Sequence, residues 1–190
     1  MSLKMSILGL VSYKEMTGYD ISRFFDGSLE YFFAAKRSQI YRELTDLEKK
    51  GFLSSRAEVQ EGKPNKKLYK ITEKGSKQLF NMLMEFDESN NFAQRIPLLT
   101  KIFFSAKIPE IEVRRTLECV KEKALEKKAR LLSSNLKMGD YHEMYKVPEE
   151  NFFYWDMTVE YGLRTYNMYI DWVDSCLKKM DLRDAQKTST

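Results

Sequence analysis

The stretch KRSQIYRELTDLEKKGFL, Lys36 to Leu53, runs almost directly into EGKPN at 61–65. Nothing else in the chain restricts its fold as much. Ile40, Leu44 and Leu47 recur at helical spacing and form one apolar face. Gly51 stands where that helix must stop, because glycine accepts a left-handed C-terminal position at little cost. Gly62, Pro64 and Asn65 then crowd together as turn chemistry. Residues 52–59 alternate in part, with Leu53, Ala57 and Val59 on one side, and residues 66–71 carry Tyr69 and Ile71 on one face. The pattern predicts an amphipathic helix that feeds straight into a β-hairpin with a basic tip.

The flanks extend that prediction. Leu3, Ile7, Leu10 and Val11 define a first helix. Thr17, with Asp20 three residues on, resembles a reciprocal capping box, with Asp in place of the usual Glu or Gln. Ile21, Phe24 and Phe25 give the second helix its buried face. Thr72 caps a fourth helix running to about residue 86. Three helices, a hairpin and a helix are the elements of a winged helix-turn-helix.

The second half differs. DESNNF, 87–92, is a polar break, so two domains are expected, 1–86 and 87–190. A short helix, 97–104, carries Leu98, Leu99, Ile102, Phe103 and Phe104. Pro109 suits the first turn of a long helix. Val113, Leu117, Val120, Ala124, Leu131 and Met138 form its seam, and Gly139 and Asp140 end it. After Pro148 a last helix carries Phe152, Trp155, Val159, Gly162, Tyr166, Tyr169, Val173 and Cys176, spaced alternately three and four apart. That is a heptad-like stripe. An antiparallel helical pair that completes its core with a second copy is the simplest solution. Leu117, Val120, Phe152, Trp155, Val159, Tyr166, Tyr169 and Val173 are the expected dimerisation residues. The fold class expected is mainly α with a small β-hairpin: a winged helix-turn-helix DNA-binding domain plus a C-terminal antiparallel helical dimerisation domain.

Charge and composition narrow the function. Residues 36–77 hold twelve Lys/Arg against six Asp/Glu, whereas 87–190 hold seventeen of each. A local basic excess is a footprint for phosphate. Cys119 and Cys176 are far apart and His142 is the only histidine. No metal site, disulfide framework or cofactor is expected from them. No glycine-rich phosphate loop, nucleophile elbow or histidine-centred cluster appears, so the chain is not read as an enzyme. No apolar run is long enough to cross a membrane. The first residues lack the pattern of a secretory leader. The expected location is the cytoplasm.

The third helix would therefore enter a DNA major groove, its N-terminal half near the base edges. Lys36 and Arg37 lie at its front. Ser38, Gln39 and Arg42 can reach bases or phosphates, arginine pairing with guanine and glutamine with adenine. Lys63, Asn65, Lys66 and Lys67 of the hairpin tip would lie against the backbone, giving affinity with little sequence information. Tyr41, beside Ile40, either packs in the core or touches DNA. Tyr69 is read as packing.

These motifs resemble a known family. ILGLVSYKEMTGYDIS, IYRELTDLEKKGFL and KLYKITEKGSKQL follow one another as in the PadR family of transcriptional regulators. The second half resembles the helical C-terminal domain of its longer, virulence-activator-like members. The resemblance implies a homodimeric repressor on a palindromic operator, binding double-stranded DNA. It implies DNA contacts from Tyr19, Ser38, Gln39, Tyr41 and Lys66. The family's arginine-rich wing is replaced here by Pro64-Asn65-Lys66-Lys67-Leu68-Tyr69. Lysine keeps the charge and loses the planar fork, which favours phosphate contact over minor-groove reading. Some relatives bind planar aromatic effectors, and Phe152, Phe153, Trp155, Tyr166, Tyr169 and Trp172 are candidate lining for such a molecule. The alternative is a regulator that acts chiefly through a protein partner and binds DNA weakly.

Overall fold

The computed structural model describes residues 3–27, 35–58, 66–85, 96–135 and 147–188. The wing tip (with Lys63 and Asn65), the break at 87–92, Met138, Gly139, Asp140 and His142 lie outside the described residues. The described residues belong to two compact units. One comprises Met1–Phe92 with Leu136–Phe153, the other Ala93–Asn135 with Tyr154–Thr190.

In the first unit α1 (Leu3–Tyr13) leads to β1 (Met16–Thr17), α2 (Gly18–Gly27), α3 (Arg37–Lys49), β2 (Leu53–Glu58), β3 (Lys66–Ile71) and α4 (Glu73–Met84). The hairpin pairs antiparallel from Leu53 opposite Ile71 to Glu58 opposite Lys66. It gains a strand that the sequence pattern does not show. Met16 and Thr17 pair with Tyr69 and Leu68, so the sheet order is β1-β3-β2. Two residues are too few to display a period of two. Burial of Met16 at 1% exposure anchors the added strand.

Local chemistry fixes the helix ends. The Thr17 amide donates to Asp20 Oδ2 at 3.1 Å, and the Asp20 amide donates to Thr17 Oγ1 at 3.1 Å. This is the reciprocal capping box, with aspartate reaching as far as needed. At the end of α3, Gly51 has φ 71°. Its amide donates to the Glu48 carbonyl and the Phe52 amide donates to the Leu47 carbonyl, each at 2.9 Å. These two bonds are a Schellman motif. Gly51→Ala is expected to destabilise the unit by about 1 kcal/mol, the cost of placing a Cβ in the left-handed region. Urea unfolding would show it as a lower midpoint at unchanged slope. A Cβ there meets no neighbour within 4 Å, so the loss would come from the backbone alone.

Ile7, Leu8, Leu10 and Val11 of α1, Ile21, Phe24 and Phe25 of α2, and Ile40, Leu44 and Leu47 of α3 form the core with Met16, Leu53 and Tyr69. Each such side chain contributes roughly 1.5–3 kcal/mol when fully buried. Ser22 is buried among them and donates to the Gly18 carbonyl at 2.9 Å.

The second unit contains α5 (Pro97–Phe103), a 3-10 turn (Ser105–Lys107), α6 (Glu110–Asn135) and most of α7 (Glu150–Thr188). Val113, Leu117 and Val173 form its buried cluster, with Ile102, Val120, Trp172, Cys176, Leu177 and Met180 packed around them. Arg114 donates to Asp181 at 2.6 Å and to Asp184 at 2.8 Å. Arg183 reaches Glu110, and Lys121 reaches Asp174. Partner numbers fall along α7 as they rise along α6, so the two helices run antiparallel within one chain.

That pairing changes the reading of the expected dimer seam. Leu117 and Val173 keep 1% and 0% exposure in the single chain, so they have no surface left for a second copy. Val120 lines the same cluster. Val159 is buried, while Trp155, Tyr166 and Tyr169 are half-buried. Phe152 belongs to the first unit. Two apolar stripes on one chain meet at high effective concentration before either meets another molecule. Other side chains stay open instead: Leu125 and Leu132 on α6, and Met157, Tyr161 and Met168 on α7.

Candidate nucleic-acid interface

The buried face of α3 leaves Ser38, Gln39, Tyr41 and Arg42 turned outward. The Schellman end and the core contacts of Ile40, Leu44 and Leu47 hold that face rigidly. The Arg42 side chain is exposed and forms no hydrogen bond or ion pair among the described residues, and the same holds for the side chains of Ser38, Lys36 and Lys66. These are the groups the fold leaves ready for an outside anion or base edge.

The other expected contacts are partly engaged. The Gln39 side-chain oxygen accepts from the Lys36 amide at 2.9 Å, closing the first turn of α3. Arg37 pairs with Asp26 at 3.4 Å across an exposed surface. Such a pair contributes little and yields easily to a phosphate. Tyr19, on the first turn of α2, is 56% exposed at a helix N-terminus, where the dipole favours an anion. Tyr41 resolves into both of its readings. It is 47% exposed. Yet a Cβ built on Gly18 would lie 2.6 Å from its ring. The ring therefore braces α3 against the start of α2 while its outer edge stays open.

Lys67, expected against the DNA backbone, is engaged within the fold. Its ammonium donates to Glu48 Oε2 at 2.7 Å and lies 5.3 Å from the centre of the Tyr69 ring. Ser55 Oγ donates to the other Glu48 oxygen. The Lys67 hydrogen bond, then that of Ser55, holds the Glu48 carboxyl below its usual range, and Glu48 in turn raises Lys67. Both groups are charged at neutral pH. Burial pushes the Tyr69 hydroxyl up, in keeping with its 5% exposure as a packing residue. Pairs separated by nineteen residues, such as Glu48 and Lys67, leave no mark in a charge pattern. Two further carboxylates near the site are matched: Asp46 holds Lys50 at 2.6 Å, and Glu15 holds Arg56 at 3.0 Å.

Thr72 caps α4 as expected, and its contacts with the end of α3 are what the sequence reading did not show. Thr72 Oγ1 accepts from the Gly75 amide at 3.0 Å and donates to the Gly51 carbonyl at 2.8 Å. The Thr72 amide donates to the Phe52 carbonyl at 3.1 Å. A Cβ on Gly75 would fall 2.1 Å from that carbonyl oxygen. The ITEKG turn thus locks α4 onto the end of α3, and its glycine is the point of closest approach.

A helical core, a three-stranded wing and an outward helix with unpaired basic and polar side chains define a winged helix-turn-helix regulator. Residues 7–81 match the transcriptional regulator PadR-like family, and residues 94–181 match the virulence activator alpha C-terminal family. The chain is 30% identical over 190 aligned residues, 94% of itself and 97% of the relative, to the negative transcriptional regulator PadR of Bacillus subtilis. It belongs to the PadR-like family of transcriptional regulators. The Bacillus subtilis PadR structure in complex with operator DNA superposes with a TM-score of 0.78 at 28% identity, covering 93% of this chain and 96% of that one. The same protein in complex with p-coumaric acid gives 0.69 at 26%, covering 94% and 98%. Among the described residues no helix is long and apolar enough to cross a membrane.

Proposed function

We propose that this regulator is a repressor that binds a palindromic operator as a homodimer. The carrying observation is the free, outward set on α3 and the wing, Ser38, Arg42, Lys36 and Lys66, on a fold matched to a relative solved on its operator. Arg42 and Ser38 read base edges in this proposal. Tyr19, Lys36, Arg37 and Lys66 hold phosphates, and the outer edge of Tyr41 lies against the backbone. Gln39 reads adenine only by giving up its bond to the Lys36 amide. A second copy covers the open face of Leu125, Leu132, Tyr161 and Met168, and sets the two recognition helices about 34 Å apart, one DNA turn. The protein works in the cytoplasm, beside the chromosome. A small aromatic effector extends the proposal, supported by the p-coumaric acid complex of the relative.

The test is selection from a random duplex pool with the purified full-length chain. A two-fold symmetric sequence, bound in preference to unrelated DNA as salt rises, is the expected result. Enrichment of no sequence would leave only a basic surface and overturn the proposal. Within that assay Lys66→Ala is expected to weaken binding to all sequences alike. The slope of log affinity against log salt should flatten by about one. Addition of p-coumaric acid to the complex tests the effector: release of DNA supports it, and unchanged binding removes it.

A further inference from the structure

We propose that Glu48 is a positioning residue that keeps Lys67 out of the DNA footprint and fixes the wing against the recognition helix. The proposal rests on the DNA-binding reading above. Glu48 sits on the last turn of α3, and one carboxylate touches both strands of the hairpin: Ser55 on β2 and Lys67 on β3. A single side chain thus ties the helix that reads sequence to the hairpin that holds backbone. The tie also settles charge. Lys66 and Lys67 are adjacent, but alternation along β3 turns them to opposite faces. Lys66 is exposed and has no partner among the described residues. Lys67 turns to the face of Tyr69, where Glu48 neutralises it. The exposed Arg37–Asp26 pair is loose at 3.4 Å, whereas Lys67 is held at 2.7 Å by a carboxylate that Ser55 also fixes, so Lys67 draws no new phosphate and releases no counter-ion when DNA arrives. The wing therefore presents one of these two lysines to DNA. The other anchors the hairpin.

Loss of Glu48 has two linked consequences. Lys67 becomes free to seek a phosphate on any sequence, so non-specific affinity rises. The hairpin loses its tie to α3, so the geometry that favours the operator loosens. Glu48 in this way sets the ratio of specific to non-specific binding without touching a base.

The experiment compares full-length wild type, Glu48→Gln, Lys67→Ala and the double variant. Each is titrated on a fixed random-sequence duplex and on the selected operator over a range of salt. Expected on the random duplex are an unchanged salt slope for Lys67→Ala, a slope steeper by about one for Glu48→Gln, and a return to the wild-type slope in the double variant. The operator-to-random ratio should fall several-fold in Glu48→Gln. A slope flattened by about one in Lys67→Ala would show that Lys67 already holds a phosphate and would overturn the inference. An unchanged slope in Glu48→Gln would overturn it as well. Lys67→Ala carries the test alone if Glu48→Gln does not fold. Wild type that prefers no sequence would instead reject the DNA-binding reading, and the inference with it.

Discussion

Gly75→Ala is expected to destabilise the winged-helix unit by on the order of 3 kcal/mol, enough to lower its melting temperature by roughly 10–20 °C. The added methyl would lie 2.1 Å from the Phe52 carbonyl oxygen and 2.9 Å from Ile71 Cγ1. The oxygen belongs to rigid backbone and cannot swing aside. It also accepts from the Thr72 amide at 3.1 Å. Moving it strains that bond too, worth about 1 kcal/mol. Gly9→Ala is the control. A Cβ there meets nothing within 4 Å, and α1 is helical through that position. The same substitution should therefore be neutral or stabilise by about 0.5–1 kcal/mol. Thermal unfolding followed by circular dichroism reads both. Equal melting of the Gly75→Ala protein and wild type would mean that α4 does not sit as closely on Phe52 as described.

Arg42→Ala is expected to cut affinity for the selected operator about 10- to 100-fold, the 1–3 kcal/mol of a bidentate base contact. Binding to a random duplex should weaken far less. Arg42 has no partner among the described residues, so its removal leaves the fold unchanged and the loss belongs to recognition. Arg42→Lys separates charge from geometry. Lysine keeps the ammonium but not the planar fork, so it should restore random-duplex binding without restoring the operator preference. Fluorescence anisotropy on both duplexes decides it. An operator preference that survives Arg42→Ala would take Arg42 out of the reading set.

Local rules were legible, and distant contacts were not. The Thr17–Asp20 box, the Gly51 stop and the Thr72 cap involve residues three or four apart, so composition and spacing alone reveal them. The third strand was not legible, because Met16 finds Tyr69 across most of the first unit. The same holds for Tyr41 against Gly18 and for Glu48 against Lys67. The heptad stripes of α6 and α7 were visible, but their partner was not. Periodicity says that a face needs covering and is silent on whose face covers it, and here Leu117 and Val173 find each other within the chain. Of the candidate site, the side chains of Ser38 and Arg42 lie on the exposed face that the helical pattern of α3 implied, and those of Lys36 and Lys66 are likewise exposed. Lys67 and Gln39 are engaged by neighbours that the pattern does not name.

Gln39 closes the first turn of α3 through the Lys36 amide, whereas Ser38 and Arg42 on the same exposed face support nothing among the described residues. The recognition helix therefore divides its surface between a position that maintains the helix and positions that do not. In the proposed reading, drift to a new operator runs through 38 and 42 at almost no loss of folding stability, while change at 39 weakens a helix start by about 1 kcal/mol. Descendants of this sequence, natural or designed, would retarget most readily by varying those two positions and leaving the glutamine in place.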